Sequence, residues 1–143
     1  MPHYTQSHWR MLPVVLLILL NLLIGSLVVR NYGESWDEAG NIAYGQYSLQ
    51  NFSNLFEGKP IVNYDKKHLD EKGPVFFVLV VLIARLETAL IPGWTVVNAW
   101  HFVYFLTFQA GILALYFLVR RWASDWASFG ITLLFSTQPL LWG

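Results

Sequence analysis

The chain has 143 residues, of which 55% are hydrophobic and only 13% are charged, and this balance is too apolar for an ordinary soluble domain of this size. Nine basic and nine acidic residues cancel, so no net charge favours nucleic acid as a partner. The absence of cysteine excludes disulfide frameworks, thiolate nucleophiles and thiolate metal sites. The composition therefore predicts a membrane protein.

Residues 12–29 form the first predicted transmembrane span. They carry no charge and, at about 1.5 Å of rise per residue, are just long enough to cross a hydrocarbon core of roughly 30 Å. A cleaved signal peptide is the alternative. The apolar run is longer than the usual core of a signal peptide, however, and no Ala-x-Ala cleavage site follows it. We expect an uncleaved anchor with a cytoplasmic amino terminus.

Two further spans are predicted in the second half of the chain. Residues 98–119 are apolar and end at the arginine pair 120–121, which is typical of a cytoplasmic helix end. The short hairpin 120–125 leads into a third apolar segment at 126–142. We expect an all-α, polytopic fold with about three transmembrane helices.

Residues 74–91 are also apolar, but Arg85 and Glu87 interrupt them. A crossing here would put the amino terminus and the arginine pair on opposite sides of the membrane. Charges near mid-bilayer also cost about a few kcal/mol each, so we expect a helix at the interface, with both charges in polar surroundings. A kinked span with a buried ion pair is the alternative. Residues 30–97 then form one long outer or luminal loop within a single membrane domain, 1–143.

A further interfacial helix is predicted near residues 39–56. Its apolar stripe has helical spacing and consists of Ile42, Leu49, Phe52 and Phe56. Gly40 and Gly45 weaken a helix by about 1 kcal/mol each, so packing must stabilise it. Tyr44 and Tyr47 suit an interfacial position.

Two acids, Asp37 and Glu38, stand at the start of this helix. Ser35 and Glu38 have the Ser-x-x-Glu spacing of a capping box, with Ser35 as the N-cap. That structural role does not require Asp37 beyond a modest favourable interaction with the positive helix end. Neighbouring helical side chains point about 100° apart, so the two carboxylates can have different roles.

A second polar group precedes the 74–91 segment, where His68, Asp70, Glu71 and Lys72 lie directly before Gly73 and Pro74. Proline in the first turn and an acid-rich entry indicate a helix start. Lys72 is either a solvated anchor that meets lipid phosphates non-specifically or a point charge for the phosphate of one lipid-linked substrate.

His101 and Gln109 lie on roughly the same face of the second span. Polar side chains in a bilayer usually face protein, and we expect both to make hydrogen bonds between helices. No His-x-x-x-His or His-x-x-Glu pair lies on a predicted helix to support a metal site.

Three short motifs occur in order: WDE at 36–38, EKGPVFF at 71–77 and YFLVRRW at 116–122. With the apolar anchor, they resemble the amino-terminal part of the polytopic C-type glycosyltransferases, the superfamily of protein O-mannosyltransferases and lipid A aminoarabinose transferases. Family members are several hundred residues long, so we expect this chain to be a fragment that is inactive alone.

The resemblance implies transfer of a sugar from a polyprenyl-phosphate donor to an unknown acceptor at the outer or luminal face of the plasma, inner or endoplasmic reticulum membrane. It implies that Asp37 and Glu38 are catalytic, with Asp37 as general base or as ligand of a divalent metal ion. It also implies that Lys72 and Glu71 bind the donor phosphate.

The expected partners are membrane lipids and the lipid-linked donor, with no nucleic acid. The alternative is a small non-enzymatic three-span membrane protein whose outer loop binds a partner or lipid headgroups. A transporter fragment is less consistent with the sequence, because charged residues on paired spans are nearly absent.

Overall fold

The computed structural model of the chain describes residues 11–62 and 73–138. These residues contain α-helices and no strand, so the expected all-α fold is confirmed for them. The helices are α1 (Leu12–Val28), α2 (Glu38–Phe56), α3 (Pro74–Leu90), α4 (Val96–Val119) and α5 (Asp125–Ser136), and a 3-10 turn at Val29–Asn31 extends α1.

Among the described residues, two helices are long and apolar enough to cross a membrane. They are α1 with its 3-10 extension, at Leu12–Asn31, and α4. Both coincide with predicted spans. The third predicted span, 126–142, is not confirmed: α5 has 12 residues, or about 18 Å, and residues 139–142 lie outside the described part.

Helices α2 and α3 occupy the two segments where the sequence predicts interfacial helices. Helix α2 begins one residue before the predicted start, and α3 ends one residue before the predicted end. Pro74 begins α3, where a missing backbone N–H costs nothing. Their location at a membrane surface remains a prediction, and so does the outer side of the loop.

Helix α2 ends in a Schellman motif. Lys59 N donates to Asn54 O at 2.8 Å, and Gly58 N donates to Leu55 O at 3.4 Å. Gly58 has φ +67°, a conformation that glycine adopts without a steric penalty. The next residues fold back along the helix, because Asn51 exchanges two 2.9 Å hydrogen bonds with the backbone of Val62.

The chain divides into two compact units, one of residues 28–104 and one of residues 1–27 with 105–143. The core of the 28–104 unit lies where α2 and α3 pack against each other and against the start of α4. The ring of Tyr44 meets that of Phe77 edge to face at 5.4 Å, and Tyr44 is only 8% exposed. Tyr44 therefore packs inside the protein, whereas Tyr47 is exposed, and the predicted interfacial position of both stays a prediction. The cluster consists of Tyr44, Phe77, Val80, Val81, Trp100 and Val103.

Gly45 weakens helix α2, but the packing of α2 against α3 requires a glycine at this position. A Cβ atom here would lie 2.7 Å from Val81 Cγ2 and 2.9 Å from the carbonyl oxygen of Phe77. Only glycine permits this approach of α2 to α3 without a shift of the α3 backbone. Of the predicted apolar stripe, Ile42 and Leu49 pack against the core, whereas the Phe52 and Phe56 side chains are exposed.

The other unit contains most of α1, the second half of α4 and helix α5. Asn21 Nδ2 on α1 donates to Gln109 Oε1 on α4 at 3.1 Å, and both residues are buried. This bond confirms that Gln109 links two helices. The helices approach closely, since a Cβ atom at Gly25 would lie 2.5 Å from the Phe105 ring.

Candidate functional site at the start of helix α2

The turn before α2 brings together the side chains of Ser35, Asp37 and Glu38. Glu38 N donates to Ser35 O at 3.1 Å, which closes the turn, and the helix begins at Glu38 with Asp37 as its N-cap. The prediction that Ser35 is the N-cap is therefore wrong. The physical reason is that the Ser35 hydroxyl donates to Asp37 Oδ1 at 3.0 Å and caps no backbone N–H group.

Glu38 turns inward from the same turn and is only 4% exposed. Its Oε2 accepts from the backbone N–H of Ser35 at 3.0 Å, which is one arm of the predicted capping box. Its Oε1 lies 2.7 Å from His101 Nε2 on α4. The carboxylate thus has one backbone donor and one side-chain donor, as a buried charge requires.

His101 links α2 to the first half of α4. Its side chain is 22% exposed, and the Tyr32 ring meets it edge to face at 6.0 Å. Its Nδ1 atom is buried and has no hydrogen-bond partner in the described part of the chain. The sequence indicates an interhelical role for His101, and the structure identifies its partner as Glu38.

Asp37 faces outward and is exposed. Its Oδ1 accepts from the Ser35 hydroxyl, and its Oδ2 accepts from Asn41 Nδ2 at 3.3 Å. Asn41 N also donates to Asp37 O at 3.1 Å. The carboxylate lies at the amino end of α2, where the helix dipole favours a negative charge. The two adjacent acids therefore have opposite environments, one exposed and one buried.

The start of α4 carries a complete capping box that the sequence analysis did not identify. Thr95 Oγ1 accepts from Asn98 N at 3.2 Å, and Asn98 Oδ1 accepts from Thr95 N at 3.1 Å. Asn98 Nδ2 also donates to Val29 O at 3.3 Å, a buried contact to the end of α1. The Thr-x-x-Asn spacing before an apolar run was the signal that could have revealed it. The box holds the helix that carries His101.

The second predicted polar group, before α3, lies largely outside the residues that the structure describes. Glu71 and Lys72, the predicted donor-binding residues, belong to residues 63–72, which the structure does not describe, as do His68 and Asp70. Their roles stay predictions.

On α3, Arg85 is exposed, but Glu87 has one buried oxygen without a hydrogen-bond partner among the described residues. Burial raises the pKa of Glu87 above its ordinary value of 4.5. The expected polar surroundings are therefore wrong for that oxygen.

In residues 11–62 and 73–138, no group of three or more His, Cys, Asp or Glu side chains is placed to hold a metal ion. Comparisons of the chain with protein-family models, with curated proteins and with solved structures found no match. The geometry at the start of α2 is therefore the basis for a functional proposal.

Proposed function

We propose that the chain is the amino-terminal portion of an integral-membrane glycosyltransferase that moves a sugar from a polyprenyl-phosphate donor to an acceptor at the outer or luminal membrane face. The observation that carries the proposal is the opposite placement of the two adjacent carboxylates. Asp37 is exposed at a helix amino terminus, and Glu38 is buried against His101. The motifs 36–38 and 71–77 supply the reaction class.

In this reaction Asp37 is the general base. Its carboxylate removes the proton of an acceptor hydroxyl as the hydroxyl oxygen attacks the anomeric carbon of the donor sugar. The bond from that carbon to the phosphate oxygen breaks, and the polyprenyl phosphate leaves with the bonding electrons. Exposure suits this role, because the acceptor must reach the carboxylate. Two hydrogen bonds, from Ser35 and Asn41, orient it.

Glu38 takes a supporting role in the proposal, because both of its oxygens already accept hydrogen bonds inside the protein. Lys72, with Glu71 beside it, neutralises the departing phosphate, the stabilisation that such a step needs. A divalent ion bound at Asp37 is an alternative use of the same carboxylate, and no step proposed here depends on one.

The test is sugar transfer by the full-length protein in proteoliposomes that contain tritiated polyprenyl-phosphate mannose, with a membrane extract as the source of acceptor. Asp37→Asn keeps the shape of the side chain and removes the base, so we expect transfer to be lost while membrane insertion is unchanged. The matched control is Glu57→Gln, an exposed acid at the other end of α2, which should transfer as the unmodified protein does.

Undiminished transfer by Asp37→Asn would remove Asp37 from the mechanism. A protein that transfers no sugar from this donor or from an aminoarabinose donor, although correctly inserted, would instead support the non-enzymatic alternative, in which the outer loop binds a partner or lipid headgroups. For Lys72→Ala, we expect the apparent KM for the donor to rise more than the apparent KM for the acceptor. An unchanged donor dependence would assign Lys72 to lipid anchoring.

A further inference from the structure

We infer that His101 is a positioning residue for Asp37, and that it acts through Glu38 and Ser35. The catalytic part of this inference rests on the proposed function, whereas its structural part does not. His101 lies 64 positions after Asp37 in the chain and makes no contact with substrate in the proposal. In this inference, His101 fixes the position of the Asp37 carboxylate.

The contacts form a continuous path from α4 to Asp37. His101 Nε2 lies 2.7 Å from Glu38 Oε1, and Glu38 Oε2 accepts from Ser35 N at 3.0 Å. The Ser35 hydroxyl then donates to Asp37 Oδ1 at 3.0 Å. Each contact has a carboxylate as acceptor, and such charge-assisted bonds are stronger than neutral ones. A shift of Glu38 therefore moves the backbone that carries Asp37.

Burial makes His101 necessary to this arrangement. The Glu38 side chain is nearly inaccessible to water, and a buried carboxylate without partners is strongly destabilised. Without the imidazole, Oε1 loses its only described side-chain donor. The carboxylate then lowers its free energy by turning toward water, and that movement breaks its hydrogen bond to Ser35 N.

The far end of the path is held firmly. His101 lies one helical turn after Asn98, whose side chain closes the capping box of α4 and binds the carbonyl of Val29. Its neighbours Trp100 and Val103 belong to the core of the 28–104 unit. The imidazole is thus presented from a fixed helix, as positioning requires.

A purely structural contact between α2 and α4 is the competing explanation. It predicts that any substitution that weakens the contact between His101 and Glu38 lowers the stability of the fold to the same degree, with no specific effect at Asp37. Positioning through a hydrogen bond instead predicts that a residue with a donor near the Nε2 position restores the turn, even if packing is altered. His101→Gln supplies such a donor, and His101→Ala does not.

The first experiment measures backbone hydrogen exchange of the full-length protein in lipid nanodiscs by mass spectrometry. In His101→Ala, the amides of Ser35 and Glu38 should exchange at least about tenfold faster, because the bonds that protect them are lost. His101→Gln should stay close to the unmodified protein. The control is Gln109→Ala, on the same helix, whose described partner is Asn21 and which should leave the turn unchanged.

The second experiment measures sugar transfer by the same variants. His101→Ala should lower kcat with the donor KM unchanged, because it misplaces the base and leaves donor binding intact, and His101→Gln should restore most of kcat. If His101→Ala does not fold, Glu38→Ala/His101→Ala replaces it, since this pair of changes removes the buried charge together with its partner and leaves Ser35 N without its acceptor. The same faster exchange and lower kcat are expected.

Unchanged exchange at Ser35 and Glu38 in the alanine variant would overturn the inference, and so would faster exchange that His101→Gln does not reverse. An unmodified protein that transfers no sugar, but whose turn responds to His101 as described, would refute the proposed function and leave the structural path standing. Normal kcat despite faster exchange would show that His101 holds the turn without positioning the base.

Discussion

Two helix starts in the 28–104 unit have similar sequence patterns and different structures. The pair Ser35 and Glu38 at α2 has the same spacing of three positions as the pair Thr95 and Asn98 at α4. At α4 both arms of the capping box form. At α2 only the arm from Ser35 N to Glu38 Oε2 forms.

The difference lies in what each side chain does with its remaining hydrogen-bonding capacity. At α4 the hydroxyl and the amide oxygen satisfy each other's backbone groups, and the Asn98 amide nitrogen binds Val29 O. At α2 the hydroxyl binds Asp37 and the second carboxylate oxygen meets His101. An incomplete capping box therefore leaves polar groups at the start of α2 to hold the exposed acid Asp37.

The largest effect is expected from Glu38→Ala. It leaves the His101 Nε2 donor and the Ser35 N–H without their acceptor, and the loss of two hydrogen bonds to a buried carboxylate costs about 3 kcal/mol or more. We expect a clear loss of thermal stability, measured by scanning fluorimetry in detergent. A loss smaller than that caused by Asn98→Ala at the start of α4 would contradict the assigned burial of Glu38.

A smaller effect is expected from Asn98→Ala at the complete box. It removes the cap at Thr95 and the buried bond to Val29 O, for a combined cost of about 2 kcal/mol. Asn98→Asp is the control, since it keeps the oxygen that caps Thr95 and loses only the donor to Val29. If both variants are equally destabilised, the contact with α1 dominates and the cap contributes little.

The two hydroxyls test the comparison most directly. Thr95→Ala should cost about 1 kcal/mol, because it removes a true N-cap acceptor. Ser35→Ala should cost less than about 0.5 kcal/mol, because its hydroxyl caps no backbone group. Under the proposed function, Ser35→Ala lowers sugar transfer more than Thr95→Ala does, because the Ser35 hydroxyl binds Asp37 directly. The reverse order of stabilities would show that Ser35 caps α2 after all.

The smallest effect concerns Glu87, a partly buried acid that, unlike Glu38, has an oxygen without a described partner. Its pKa is raised by burial, so its charge destabilises the fold increasingly as the pH rises above 4.5 through the folded-state pKa. Glu87→Gln should therefore raise the melting temperature at neutral pH, and the gain should disappear below 4.5.

Glu57 is the matched control for this pH dependence. Its hydrogen bond with Lys59, and then that with Ser53, lowers its pKa, so its contribution is present above 4.5 and lost as the pH falls through the folded-state pKa. Glu57→Gln should slightly lower the melting temperature at neutral pH. Equal responses of the two variants would mean that burial does not distinguish these acids.

Local patterns explain which features were predictable. The uncharged run of α1 and the apolar run of α4 depend on neighbours within a few residues, so the sequence indicates them. The sequence predicts a capping box at Ser35, but it does not predict that Asp37 is the N-cap. Asp37 and not Ser35 is the N-cap, and the Ser35 hydroxyl donates to the Asp37 carboxylate.

The amino-acid sequence by itself determined that this chain is helical and apolar, with candidate spans in α1 and α4 and a pair of acids after the first. Hydrophobic runs and caps act over a few residues, and composition reports them directly. Only the tertiary structure decided that Asp37 faces outward and Glu38 inward. That choice depends on His101 reaching Glu38 from another helix and on the burial of Glu38, which no local pattern encodes.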